Sequence, residues 1–241
     1  MMSPLMEPEV SRITYTVGDI HGCRSELDRL LDAIEVDSAG RKYKLVFLGD
    51  YIDKGPDSRG VIERLMALTE RKHADVVLLK GNHDDLMARA ARGDTLALEK
   101  WLTMDGGSVL RQFGCARATD LPEAVVRWVE AMPTLHSDRH RIFVHAGLDP
   151  DLPFDQQTDE IRLTMRGGFL DRDVDFGKHV VHGHTPQMNG RPELRLYRTN
   201  LDTGVVSTGC LTAAIFAAGA GGPSAILATS RADEVLSSRL A

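Results

Sequence analysis

The sequence predicts an α/β fold, sheets covered by helices, and three observations predict it. The first half alternates short apolar runs with amphipathic stretches in the order β-α-β-α-β-α, the pattern of a sheet with parallel members and crossover helices. From Thr134 onward short apolar runs dominate, and a second, largely antiparallel sheet is their natural destination. Five of the apolar runs also end alike, delivering Asp, Asn or His beside a glycine. At 241 residues and 42% hydrophobic, the chain is long enough to bury a substantial core. Because the five runs span residues 16 to 184, a boundary in the middle would divide them, so residues 1–241 are read as one domain.

Residues 1–11 read as a loose tail. Ile13 to Val17 forms the first strand. From Ser25 onward Leu27, Leu30, Leu31 and Ile34 recur at the spacing of one buried helix face. Lys44 to Leu48 is the second strand. Asp57 or Ser58 can cap the next helix, with Val61, Ile62, Leu65, Met66 and Leu68 on its inner side. Asp75 to Leu79 is the third strand, with a helix expected near Asp84. Residues 93–122 break the rhythm: Trp101, Met104, Gly106, Gly107, Phe113 and Gly114 mix apolar and flexible residues without a period. They read as a helical insertion over one rim, either a substrate wall or ordinary packing beside the sheet. Glu123 to Met132 is helical again. Strands follow around Leu135, at Arg141 to Val144, Lys178 to Val181, Leu196 to Asn200, Leu211 to Phe216 and Ala225 to Ala228. The polar residues from Thr229 are expected to end the fold.

The chemistry lies where strands end. Gly18-Asp19-Ile20-His21-Gly22 follows the first strand and Gly49-Asp50-Tyr51-Ile52-Asp53-Lys54-Gly55 the second. Gly81-Asn82-His83-Asp84, His145-Ala146-Gly147 and His182-Gly183-His184-Thr185-Pro186 close three more. Open α/β sheets gather ligands outside the carboxyl ends of their strands, where loops converge. Singly, each motif has an ordinary reading as a turn, a helix cap or a satisfied core histidine. Five at corresponding places read as a metal centre. Carboxylate, amide and imidazole without thiolate suit manganese first, with iron or zinc as alternatives. Nine candidates (Asp19, His21, Asp50, Asp53, Asn82, His83, His145, His182, His184) are too many for one ion and about right for two. Paired ions serve phosphoester hydrolysis.

With these motifs in place, the chain resembles the phosphoprotein phosphatase family of metallophosphoesterases, above all its compact bacterial and phage-type members. The family patterns GDxHG, GDxxDRG, GNHE, HAG and GHTP stand here, in the family's order, at Gly18 to Gly22, Gly49 to Gly55, Gly81 to Asp84, His145 to Gly147 and Gly183 to Pro186. The resemblance implies a β-sandwich of two mixed sheets flanked by helices, with metals at the strand ends. It implies that Asp19, His21 and Asp50 hold one metal, that Asp50 bridges to a second, and that Asn82, His145 and His184 complete it. His182 would then be structural or stand behind the ligands. The same resemblance makes His83 a general acid oriented by Asp53, Lys54 and Arg166 the phosphate-binding cations, and a metal-bridging hydroxide the in-line nucleophile. Two positions depart from the pattern. Lys54 replaces the usual Arg, leaving a point charge for a planar fork, and Asp84 replaces Glu. Cys23, directly after the first motif, reads as a small packing residue.

The function this implies is a metal-dependent serine/threonine-type phosphoprotein phosphatase acting on a phosphorylated protein or a small phosphoester. The alternative is a symmetrical diadenosine tetraphosphatase or another nucleotide phosphohydrolase. Asp53 favours the former, since the resemblance associates the dinucleotide hydrolases with loss of that carboxylate. A non-catalytic binding module is the remote alternative. A net charge of −6 argues against a nucleic-acid groove. Three scattered cysteines make no disulfide framework, and Met1 to Pro8 show no leader pattern, so a cytoplasmic location is expected. Leu211 to Leu227 is interrupted by Gly219, Gly221, Gly222 and Pro223, which fits two strands and a turn rather than a membrane helix.

Overall fold

A computed structural model describes residues 13–69, 74–230 and 234–240, so the tail expected through residue 11 lies outside them. The chain opens with β1 (Ile13–Val17), α1 (Arg24–Ser38), β2 (Tyr43–Phe47), α2 (Ser58–Thr69) and β3 (Ala74–Leu78). In α1, Leu27, Leu30, Leu31 and Ile34 are buried as the spacing demands, and the helix stops where Ala39 turns left-handed. Asp57 Oδ1 accepts from the Gly60 N–H at 2.8 Å and so caps α2. Helix α3 (Asn82–Ala91) begins earlier than Asp84, because Asp84 is its third residue and reaches back to the Gly81 N–H. Residues 93–122 fold as α4 (Thr95–Thr103), α5 (Gly106–Phe113) and a 3-10 turn, Ala118–Asp120. Asp94 starts α4 by accepting from the Ala97 N–H at 3.0 Å.

Next come α6 (Glu123–Glu130), β4 (Leu135–Ser137) and β5 (Arg141–Val144). Two short helices the sequence pattern did not reveal, α7 (Asp159–Thr164) and α8 (Gly167–Asp171), precede β6 (His179–His182). The rest is β7 (Glu193–Leu194), β8 (Arg198–Asn200), α9 (Val205–Thr208), β9 (Thr212–Phe216), β10 (Ala225–Thr229) and β11 (Val235–Arg239).

These strands make two mixed sheets, in the orders β11-β10-β9-β1-β2-β3 and β4-β5-β6-β8-β7. The expectation that every later strand joins a second, largely antiparallel sheet is corrected twice. β5, β6 and β8 are parallel, with antiparallel pairing confined to the two edges. The strands β9, β10 and β11 instead extend the first sheet beyond β1. All five residues of β9 are buried, covered on both faces in the first sheet, with Ala213 and Ile215 toward the helices and Ala214 and Phe216 toward the second sheet. The polar end from Thr229 does not stop the fold either: β11 pairs with β10 along its length. Polarity misleads there because β11 is an edge, held by backbone bonds with little apolar burial.

Alternation within the strands sorts side chains into layers. Leu45 and Phe47 of β2 face α1 and α2, whereas Val46 and Leu48 meet Phe143, Val181, Ala214 and Phe216 between the sheets. The Phe143 and Phe216 rings meet edge-on at 6.3 Å, worth about 0.5–1.5 kcal/mol beyond their buried area. Ile142, Val144 and Val180 pack outward on Leu148 and Phe169. The order helix, sheet, sheet, helix brings the carboxyl ends of β1, β2, β3, β5 and β6 to one rim. Among the described residues no helix is long and apolar enough to cross a membrane.

Candidate metal centre

Asp50 is the hub of that rim. It follows β2 in a left-handed turn (φ 55°) and is 2% exposed. Gly81 faces it so closely that a Cβ there would lie 2.2 Å from Asp50 N and from its Oδ1. Asp84 completes the grip, its Oδ2 accepting from the N–H groups of Asp50 at 2.8 Å and Gly81 at 2.9 Å, its Oδ1 from Tyr51 at 3.1 Å. That is the role for Asp84 which the sequence could not supply: it ties the Asp50 loop to the start of α3.

Around Asp50 the imidazoles converge. Its Oδ2 lies 3.5 Å from His21 Nε2 and 3.9 Å from His83 Nε2, and its Oδ1 3.4 Å from His145 Nε2. Among the described residues two groups have ligand atoms close enough to share an ion, His21–Asp50–His83 and Asp50–His145–His184, and Asp50 belongs to both. Asn82 Oδ1 stands 2.9 Å from His145 Nε2. Asp19 reaches the same floor, but its carboxylate accepts from the His184 N–H at 3.1–3.2 Å, and His83 rather than Asp19 completes the tight group with His21.

The donor set fits divalent cations. His21 Nδ1 donates to the Ile52 carbonyl at 2.8 Å and His145 Nδ1 to the Leu48 carbonyl at 2.9 Å. A carbonyl can only accept, so both rings carry their proton on Nδ1 and turn the Nε2 lone pair inward. His145 Nε2 and Asn82 Oδ1 then face each other as two acceptors, an arrangement that a cation turns from repulsive to attractive. Burial, against the pull of the Asp50 carboxylate, pushes His21 down to about 3 and His184 to about 2 and also lowers His145, so all three are neutral, the ligating form.

His83 and Asp53 make a separate pair, Nδ1 to Oδ2 at 2.5 Å, with Asp53 fully buried. Burial disfavours the imidazolium at His83, but Asp50 and the Asp53 hydrogen bond outweigh it and hold the ring above its usual value. Burial lifts Asp53 above its usual value against the pull of His83 and Trp101. Both expected cations reach the site. Lys54 Nζ donates to His21 Nε2 at 2.9 Å, and Arg166 Nε to His184 Nε2 at 3.2 Å. An ion on either imidazole uses the same lone pair and frees the cation.

His182 is brought near the others but not among them. Its Nε2 accepts from Arg198 at 3.2 Å, its Nδ1 faces the Gly183 carbonyl, and its ring lies edge-on to Phe169. Burial pushes the Cys23 thiol up to about 12, so it is an inert packing group. Sequence reasoning missed two acidic groups. Asp202, 3% exposed, stands near Asp19 and helps to push that carboxyl up after burial. It follows β8 in Asn200-Leu201-Asp202-Thr203-Gly204, a strand-end signal like the five recognised ones. Asp105, whose Oδ2 accepts from the Lys54 N–H at 3.1 Å, carried no such signal.

Several of these residues are held in strained backbone. His21, Asp50, Asp53, Lys54 and His184 all have positive φ, each at a cost of about 1–3 kcal/mol. The neutral histidines add a pH dependence. Once unfolded, their rings take up protons below about pH 6.5, whereas in the fold His182 does so only near 3, burial being the first cause and the Arg198 cation the second. These histidines therefore contribute stability to the metal-free protein that is fully present above about pH 6.5 and is lost as pH falls toward 3. The loss is up to about 1.4 kcal/mol per pH unit for each such histidine. Urea midpoints of wild type and His182→Gln between pH 7.5 and 4.5 isolate the His182 share, and parallel profiles would contradict its neutral assignment.

The family model for calcineurin-like phosphoesterases matches residues 14–206, which include every candidate above. A symmetrical bis(5'-nucleosyl)-tetraphosphatase of Janthinobacterium sp. (strain Marseille) is 31% identical over 137 residues, 57% of this chain and 44% of that protein. The match thus spans less than half of that relative. An asymmetrical bis(5'-nucleosyl)-tetraphosphatase of Oceanobacillus iheyensis is 28% identical over 219 residues, 82% of this chain and 86% of that protein. The solved structure of a candidate diadenosine tetraphosphatase has the same fold, with a TM-score of 0.66, 24% identity and coverage of 97% of this chain and 96% of that one.

Proposed function

The chain belongs to the calcineurin-like phosphoesterase family, and on that premise we propose that it is a dinuclear-metal phosphohydrolase of dinucleoside polyphosphates. The observation that carries this reading is likeness to relatives that are named tetraphosphatases, one of them matched along most of both chains. It reverses the order of preference drawn from the sequence, where Asp53 placed a phosphoprotein substrate first.

Asp19, His21 and Asp50 would hold one ion and Asn82, His145 and His184 a second, with Asp50 shared. Two divalent ions at such a site lower the pKa of water and neutralise charge on a phosphoryl group; manganese is our first choice, iron or zinc the alternatives. The chain's own residues do the rest. Lys54 and Arg166, both exposed at the mouth, bind the non-bridging oxygens, and a polyphosphate offers such cations several charges. Asp53 holds the Nδ1 proton of His83, which leaves Nε2 directed at the centre to donate a proton to the leaving oxygen.

That dyad favours a second reading. A nucleoside diphosphate departs with little help, whereas a serine alkoxide needs a proton, and the intact His83–Asp53 pair suits the harder case. Phosphomonoesters, phosphorylated proteins included, are therefore the second substrate class. The deciding experiment offers manganese-loaded protein diadenosine tetraphosphate and a phosphoserine peptide together, following nucleotides and free phosphate separately. Nucleotide release well ahead of phosphate release is expected. Phosphate release with little nucleotide would overturn the first reading in favour of the second.

A further inference from the structure

The insertion between α3 and α6 lies against the dyad loop and touches it at several polar points, Gln112 Nε2 on the Gly55 carbonyl at 3.5 Å among them. Trp101 of α4 is fully buried, and its indole N–H points at the Asp53 carboxylate, 3.1 Å from each oxygen. Four residues later Asp105, in a left-handed turn (φ 84°), accepts from the Lys54 N–H with Oδ2 at 3.1 Å. Asp53 and Lys54 are consecutive residues with φ of 70° and 64°, a conformation that non-glycine residues adopt only where their surroundings impose it. Ser58 Oγ, accepting from the Asp53 N–H at 3.0 Å, fixes the loop from the α2 side. The indole is itself backed by Gly106, where a Cβ would come within 2.5 Å of the Trp101 ring.

We infer that Trp101 and Asp105 form a clamp that sets the two halves of the reaction separately. Trp101 is a positioning residue for the proton-donating side: it fixes the carboxylate that fixes His83. Asp105 is a positioning residue for the binding side: it holds the backbone that aims the Lys54 ammonium at phosphate oxygens. The insertion thereby acts on the chemistry from behind, through buried hydrogen bonds, in addition to whatever face it turns to a substrate. The assignment rests on the proposed phosphohydrolase reading, with His83 as proton donor.

The two contacts give opposite kinetic signatures. Trp101→Phe keeps an aromatic ring and loses the N–H, so kcat on an alkyl phosphate such as a phosphoserine peptide, whose leaving oxygen needs the proton, should fall roughly tenfold through misplacement of the dyad, with KM little changed. Asp105→Ala should raise KM several-fold with kcat preserved, as expected when binding common to ground and transition states is lost. The chain has two tryptophans, Trp101 and Trp128, so protein labelled with ¹⁵N at the indoles gives two N–H resonances, and Trp101→Phe identifies its own by deleting it. Asp53→Asn should then shift the Trp101 resonance and leave that of Trp128 in place, a readout that needs neither metal nor turnover. If Trp101→Phe fails to fold, judged by the Trp128 resonance, Gly106→Ala carries the kinetic test, because it displaces the same ring with the indole intact.

An indole resonance indifferent to Asp53→Asn would overturn the clamp, as would a Trp101 variant with wild-type kcat on the alkyl phosphate or an Asp105 variant that loses kcat instead of affinity. Wild-type protein inert toward all phosphoesters would overturn the functional reading, while the resonance shift still decides whether the contact exists.

Discussion

Asp50→Asn should strip the protein of both metal ions and abolish hydrolysis while leaving the fold intact. Both carboxylate oxygens are committed, Oδ2 toward His21 and His83, Oδ1 toward His145 and the His83 N–H. Asparagine keeps the shape and one acceptor oxygen but removes the negative charge that lets two cations share the group. It also turns an NH2 donor onto imidazole lone pairs that the Ile52 and Leu48 carbonyls have already fixed inward. Removing a group behind a ligand typically costs about 10–100-fold in metal affinity, and removing a shared ligand should cost more, for both ions together. The loop itself is held by Asp84 through backbone N–H groups that this substitution does not touch, so the metal-free Tm should stay near wild type. Calorimetric titration with manganese and metal content after dialysis measure the effect. Retention of two ions at wild-type affinity would show that Asp50 is not the shared ligand.

How much of this was legible in the sequence follows from which interactions leave a local trace. An apolar run ending in Gly-Asp or Gly-Asn-His announces both a strand and what it delivers, so Asp50, Asn82 and His145 could be placed at strand ends before any coordinates. The choice of His184 over His182 came from the resemblance, through Gly183-His184-Thr185-Pro186, and not from strand geometry. Residues two apart on a strand share a face, but β6 ends at His182 and His184 turns left-handed (φ 68°), so the two rings part and Arg198 takes the first. Asp84 had to be seen: beside the local Gly81 N–H it holds the N–H groups of Asp50 and Tyr51, more than thirty residues away, which no pattern of residue types encodes. Trp101 and Asp105 sit in an aperiodic stretch where packing, polarity and function have the same appearance. In β11 the polarity that suggested an end is what a solvent-facing edge requires. The substrate preference drawn from Asp53 rested on a single carboxylate, and the dyad it forms is real, but a dyad reports what the site can assist rather than which ester arrives.

His83→Asn should lower kcat by about 10²–10⁴-fold for a substrate that must expel an alkoxide, the usual contribution of a positioned acid. For 4-nitrophenyl phosphate, whose leaving group departs as a stable anion, the same substitution should cost little. The reason is the geometry of the ring: Nδ1 is locked on Asp53, so Nε2 is the only place from which a proton can be given. Because Asp50 and Asp53 hold His83 above its usual value against burial, the alkaline limb of wild-type kcat on an alkyl phosphate should lie above that expected for a free imidazole. His83→Asn should erase that limb, whereas Asp53→Asn should shift it to lower pH, since the imidazolium then loses a stabilising partner. The alternative role is set by the same coordinates, which group His83 with His21 and Asp50 around a common point. Were His83 a metal ligand, its loss would penalise every substrate alike and would lower metal content as well. Equal losses for alkyl and nitrophenyl esters, together with loss of an ion, would therefore remove His83 from the proton-transfer role. A loss confined to poor leaving groups would instead establish that role, and a small loss on diadenosine tetraphosphate in the same series would mark it as a substrate for which the acid is dispensable.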